Sequence, residues 1–96
     1  MAVLLELSVF SICGEVSKRG EVARILRAFE DREIEAHLNP MGTSVECEDM
    51  PKALEVLQIA YDCMDSQRFY IIAKFDCYPQ RKNMLEGRVE RVLEEV

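Results

Sequence analysis

Over the first dozen residues apolar side chains recur on both parities, but not equally. Val3, Leu5, Leu7 and Val9 form one set; Leu4, Glu6, Ser8, Phe10 and Ile12 form the other. Successive side chains of a strand point to opposite faces. Val3 to Ile12 is therefore predicted as a strand with one wholly apolar face and one mixed face. From Val16 the period changes. Val22, Ile25, Leu26 and Phe29 stand at i, i+3, i+4 and i+7, one face of a helix from about Ser17 to Asp31. Ser17 is its candidate N-cap, and Gly20 weakens the first turn.

Ile34, Ala36 and Leu38 then alternate with Glu35, His37 and Asn39, the pattern of a half-buried strand. Asn39-Pro40-Met41-Gly42 has the composition of a turn, and Thr43 to Glu48 alternates again, so the two strands read as a hairpin. Asp49 followed by Pro51 opens a second helix, with Ala53, Leu54, Leu57, Ala60, Tyr61 and Met64 as its buried stripe. Arg68 to Tyr78 is the longest strand, ended by Pro79. Asn83 and Glu86 have capping-box spacing, and Leu85, Val89, Val92, Leu93 and Val96 mark the stripe of a last helix.

The order β-α-β-β-α-β-α predicts an α+β fold, the ferredoxin-like split βαβ sandwich. In it an antiparallel sheet carries two helices on one face, and here a C-terminal helix is appended. Without repeats, low-complexity stretches or a linker, residues 1–96 are expected to form a single domain.

The strand patterns sort side chains by face. Val3, Leu5, Leu7, Val9, Ile34, Ala36, Leu38, Val45, Cys47, Phe69, Ile71, Ala73 and Phe75 form the helix-facing core. The opposite face carries Leu4, Glu6, Ser8, Phe10, Ile12, His37, Ser44, Glu46, Tyr70, Ile72, Lys74, Asp76 and Tyr78. An open sheet face with that much apolar and aromatic area meets something. It is either an interface between copies of the chain, with Glu46 paired to Lys74, or an interface that also encloses a small ligand. A domain of this size buries only about two thirds of its unfolded surface, which also favours oligomerisation.

Charge and composition narrow the chemistry. With 12 basic against 18 acidic residues and a net charge of −6, the chain lacks the cationic stripe that a phosphate backbone needs, so nucleic acid is not expected. No apolar run approaches the ~20 residues that span a bilayer. Met1 to Phe10 contains Glu6 and no basic n-region, so no membrane association and a cytoplasmic location are expected. Cys13, Cys47, Cys63 and Cys77 form no CxxC pair, and His37 is the only histidine. Reduced, mostly buried thiols are expected, and no metal site. With one histidine, no nucleophile elbow, and no basic residue from Ser11 to Glu15 to cradle a phosphate, the chain is expected not to be an enzyme, and no cofactor is implied.

Pro40-Met41-Gly42-Thr43-Ser44-Val45-Glu46 is the most distinctive segment. Together with Glu6-Leu7-Ser8-Val9 and Val16-Ser17-Lys18, in that order along the chain, it resembles the small thiamine-binding protein family, the YkoF-like group. The resemblance implies a ferredoxin-like subunit that dimerises and forms a homotetramer through packed sheets. It also implies a site for thiamine or its hydroxymethylpyrimidine part. Such a ligand needs a stacking surface, for which Phe10 and Tyr70 are candidates. Its amino group needs hydrogen-bonding partners, for which Ser8 and Ser44 are candidates, and the thiazolium needs negative charge, from Glu6, Glu46 or Asp76. Met41, Gly42 and Thr43 complete the candidate site, unless the hairpin alone requires them. Ser17 is a candidate too, alongside its reading as a helix cap. The alternative is a regulatory or assembly module whose open sheet face forms only the oligomer interface.

Overall fold

The computed structural model describes residues 2–14, 17–78 and 80–96. Its elements are β1 (Ala2–Ser11), α1 (Lys18–Asp31), β2 (His37–Asn39), β3 (Gly42–Cys47), α2 (Met50–Asp62), β4 (Phe69–Tyr78) and α3 (Met84–Glu94). The four strands form one antiparallel sheet in the order β2-β3-β1-β4. This is the ferredoxin-like sandwich that the alternation predicts. Val16, where the period changes, and Pro79, the predicted strand stop, lie outside the described residues.

The register explains why the apolar set of β1 is the core. Leu5 lies opposite Val45 on one side and Phe75 on the other, and Leu7 lies between Thr43 and Ala73. Directly opposed residues share a face. These rows, with Val3 and Val9, meet Ile25 and Phe29 of α1 and Ala53, Val56, Ile59 and Ala60 of α2 in one buried cluster. Leu5 and Phe29 are wholly out of solvent. Both helices start where their sequences say. The Ser17 hydroxyl accepts from the Gly20 amide at 3.1 Å, and the Asp49 carboxylate accepts from the Lys52 amide at 2.9 Å with Pro51 in the first turn.

Several expectations need correction. Leu54 and Tyr61 are exposed, while Val56 and Ile59 take their place in the core, because α2 is rotated about its axis toward that side. β2 is only three residues long. Ile34 and Ala36 precede it and pack against the core from the connection, and Leu38 shares a row with Thr43 but remains largely exposed at the sheet edge. Of the four thiols, all unpaired, only Cys47 is buried and Cys77 is exposed.

The third helix lies on the opposite face from the other two. Met84, only 1% exposed, anchors its first turn. Asn83 sits in the left-handed region (φ 55°) and makes no side-chain cap, so the predicted capping box with Glu86 does not form. Glu46 does that work from β3, its carboxylate accepting from the Leu85 amide at 3.1 Å. It therefore does not pair with Lys74, whose row holds Glu6 and Ser44 instead. Asp76, in the same row as Leu4 and Glu46, forms an ion pair with Arg88. α3 thus covers the Leu4 end of the open face and leaves Tyr70, Ile72 and Tyr78 exposed.

Candidate ligand-binding pocket

The two neighbours of β1 are unequal in length. Pairing with β4 continues to Ser11↔Phe69, whereas pairing with β3 ends at Leu7↔Thr43. Past Leu7 one edge of the central strand has no strand beside it among the described residues. The β2–β3 hairpin tip and the first turns of α1 flank this notch and enclose a cavity of about 690 Å³. That is within the ~300–1,000 Å³ range of small-molecule sites. Its walls are largely apolar, with Val22 and Leu26 from α1, Leu38 and Met41 from the hairpin, and Phe10 and Ile72 from the sheet.

Backbone groups also face the notch. The Ser11 amide donates to Glu21 Oε1 at 3.3 Å, and its carbonyl accepts from Lys18 Nζ at 2.7 Å. The next amide, that of Ile12, instead donates to the Arg68 carbonyl at 3.1 Å beside β4. Strand backbones alternate in this way, so Val9, like Ser11, turns its N–H and C=O toward the missing neighbour. Neither group has a backbone partner outside the regular strand pairing among the described residues.

Five of the residues singled out in the sequence line this cavity: Ser8, Phe10, Met41, Gly42 and Thr43. Ser8 Oγ donates to the Met41 carbonyl at 2.9 Å and ties the hairpin tip to β1. Gly42 is required by close approach. A Cβ there would meet the Leu7 carbonyl oxygen at 3.0 Å and Ser8 Oγ at 3.1 Å. Thr43 faces the helices, not the open face, and is buried at the cavity floor.

The other six are elsewhere, Asp76 among them in its ion pair with Arg88. Ser17 is the α1 cap, and Glu46 holds α3. Glu6 and Ser44 share an open-face row outside the cavity lining. Tyr70 lies outside the lining, its ring edge-on to Phe10 with centroids 5.7 Å apart. The cavity is thus at the end of the sheet and not across its open face, because the short β3 leaves a gap that alternation cannot register.

Lys18, in the sequence part of the Val16-Ser17-Lys18 motif but not a candidate site residue, and Arg19 are the only charged groups lining the cavity among the described residues. Lys18 Nζ stands 5.8 Å from the Phe10 ring centroid. Behind it lies another unpredicted feature, the buried carboxylate of Glu21. It is satisfied by the Ser11 amide and hydroxyl, with Ser66 Oγ 2.7 Å from that hydroxyl. A buried charge of this kind persists only when its lone pairs are occupied. Among the described residues, no three His, Cys, Asp or Glu side chains gather to hold a metal ion, and no helix is long and apolar enough to cross a membrane.

The family model described as thiamine-binding protein matches residues 5–93. Among solved structures, a hypothetical protein from Methanocaldococcus jannascii superposes with a TM-score of 0.80 at 21% identity, covering 97% of each chain. A Thermotoga maritima protein proposed to act in thiamine biosynthesis or salvage gives 0.79 at 14% identity, over 96% of this chain and 99% of that one. A domain of unknown function from Bacillus cereus gives 0.76 at 15%, over 98% and 92%. At these identities the structures establish the shared fold alone. No curated protein sequence matches the chain.

Proposed function

The chain belongs to the thiamine-binding protein family, and on that premise we propose that it is a binding protein and not a catalyst, taking the aminopyrimidine ring of thiamine or of free hydroxymethylpyrimidine in the notch beside β1. The observation that carries this reading is the open strand edge at Val9 inside an apolar cavity. An aminopyrimidine presents an exocyclic N–H donor next to a ring-nitrogen acceptor. The C=O and N–H of one strand residue present the complementary pair. The ring faces would lie against Leu26, Met41 and Ile72, with Phe10 at the edge. Calorimetric titration with hydroxymethylpyrimidine and with thiamine tests this, and one saturable site is expected. Folded protein that gives no heat and no amide shifts at millimolar ligand refutes it.

The same proposal extends to assembly. Tyr70, Ile72 and Tyr78 on the sheet, and Val89, Val92 and Leu93 on α3, are exposed apolar groups. Surface of that kind supports a homodimer or homotetramer packed through the open faces, and a cytoplasmic location belongs to the same proposal. Ile72 belongs both to this face and to the cavity wall, so a second copy would also close the pocket's outer side. Sedimentation is expected to show an oligomer that Tyr70→Glu dissociates, and a monomeric wild-type protein refutes it. An intact oligomer with empty titrations would assign the face to assembly alone.

A further inference from the structure

Resting on the reading that this cavity holds an aminopyrimidine-type ring, we propose that its preferred ligand is an anion, a flat heteroaromatic ring bearing a phosphate ester, and not the cation thiamine. The argument is the placement of charge. A thiazolium calls for carboxylates, and among the described residues none lines the cavity, Glu6 standing in the row of Ser44 and Lys74 outside it. Glu46 is committed to the Leu85 amide and Asp76 to Arg88, both at the far end of the open face. Glu21 is buried and turned to Ser11. Among the described residues the charged groups that line the cavity are two cations, Lys18 and Arg19, in a chain whose net charge is −6. The pocket therefore reverses the sign of the molecule around it.

Each cation has donors to spare. Lys18 Nζ donates to the Ser11 carbonyl at 2.7 Å, which fixes it beside Phe10, and an ammonium has three N–H donors. The Arg19 side chain makes no hydrogen bond or ion pair among the described residues. Its guanidinium fork matches two oxygens of a phosphate. The ring end of the cavity, at Val9 and Met41, and the cationic end, at the start of α1, are complementary to the two parts of such an ester. A thiazolium in the same place would stand beside two like charges.

Titration of the full chain with hydroxymethylpyrimidine, its monophosphate, thiamine and inorganic phosphate tests the proposal. At low salt the monophosphate is expected to bind about tenfold tighter than the parent alcohol, and the advantage should shrink as salt screens it. Arg19→Glu is expected to abolish or invert the ester-to-alcohol ratio. Lys18→Gln should reduce it about threefold, with thermal unfolding confirming that each variant is folded. Equal binding of ester and alcohol, thiamine as the tightest ligand, or a ratio indifferent to Arg19→Glu overturns the anion preference while leaving a ring site in place. Ester binding no tighter than inorganic phosphate overturns it as well, since the ring would then contribute nothing. If none of the organic ligands binds, the ring site itself fails.

Discussion

The two ends of β1 are made from the same alternating pattern and do different work. At Leu4 the strand is paired on both sides, and α3 covers its open face. There the polar groups are consumed by structure, Glu46 on a helix amide and Asp76 on Arg88. At Val9 one neighbour is missing, and the surrounding groups keep unspent capacity in the backbone pair, Lys18 and Arg19. Binding capacity appears where the sheet is incomplete, since a buried polar group is normally occupied. Of the acids that are candidate ligand groups, Glu46 and Asp76 are at the completed end, and Glu6 stands between the two ends in the row of Ser44 and Lys74.

The contrast depends on a rigid strand between the two ends, and Leu5 is its most buried point. Leu5→Ala is expected to cost about 3–5 kcal/mol through lost burial and a cavity between β3, β4 and the helices. Urea unfolding measures it. A cost below ~1 kcal/mol would mean that the ends are held independently, and the comparison would lose its basis.

Cys47 sharpens the comparison from the covered end, where it lies opposite Val3. Burial, opposed by Lys52 and reinforced by Asp49 and Glu46, pushes its thiol from 9.0 up to about 11. The folded chain then keeps a proton that the unfolded chain releases. The contribution is complete below pH 9 and is lost as pH rises toward 11, at no more than about 1.4 kcal/mol per pH unit. Comparing urea midpoints of wild type and Cys47→Ala from pH 8 to 11 isolates it. Identical slopes would place solvent at this end of the sheet.

At the open end Gly42→Val is the corresponding break. Its Cβ would press on the Leu7 carbonyl and on Ser8 Oγ, the group that ties down the hairpin tip. A loss of about 1–3 kcal/mol is expected. Ring affinity should fall with it while the Leu85 amide stays as protected from exchange as before. Loss of that protection would show the two ends to be coupled.

How much of this the sequence shows depends on range. The strand faces and the first two helix starts follow from spacing and capping within a few residues, and they are legible at Leu5, Ser17 and Asp49. What is not legible depends on relative strand length and on partners far along the chain. The notch exists because β3 stops opposite Leu7, a fact of pairing and not of pattern. Leu38 alternates like a core residue, yet nothing packs over that edge. Lys18 and Arg19 read as an ordinary solvated first turn until the hairpin tip is placed across from them. Glu46 is the clearest case. Its strand position makes it a candidate for ligand charge or for a pair with Lys74, and only the path of residues 80–83 brings the Leu85 amide to it.

Glu46 therefore gives the finest test, with the smallest expected effect. A carboxylate accepting from a first-turn amide is a cap supplied from outside the helix, and loss of such a cap costs about 1 kcal/mol. Glu46→Ala should lower stability by that amount and raise exchange at the Leu85 amide. Glu46→Gln should recover part of the loss, because its carbonyl oxygen still accepts. Ring affinity should not move in either variant, since Glu46 stands outside the cavity at the covered end of the sheet. If affinity falls tenfold in Glu46→Ala and Glu46→Gln fails to restore it, the carboxylate charge reaches the ligand and the two ends of β1 form one site.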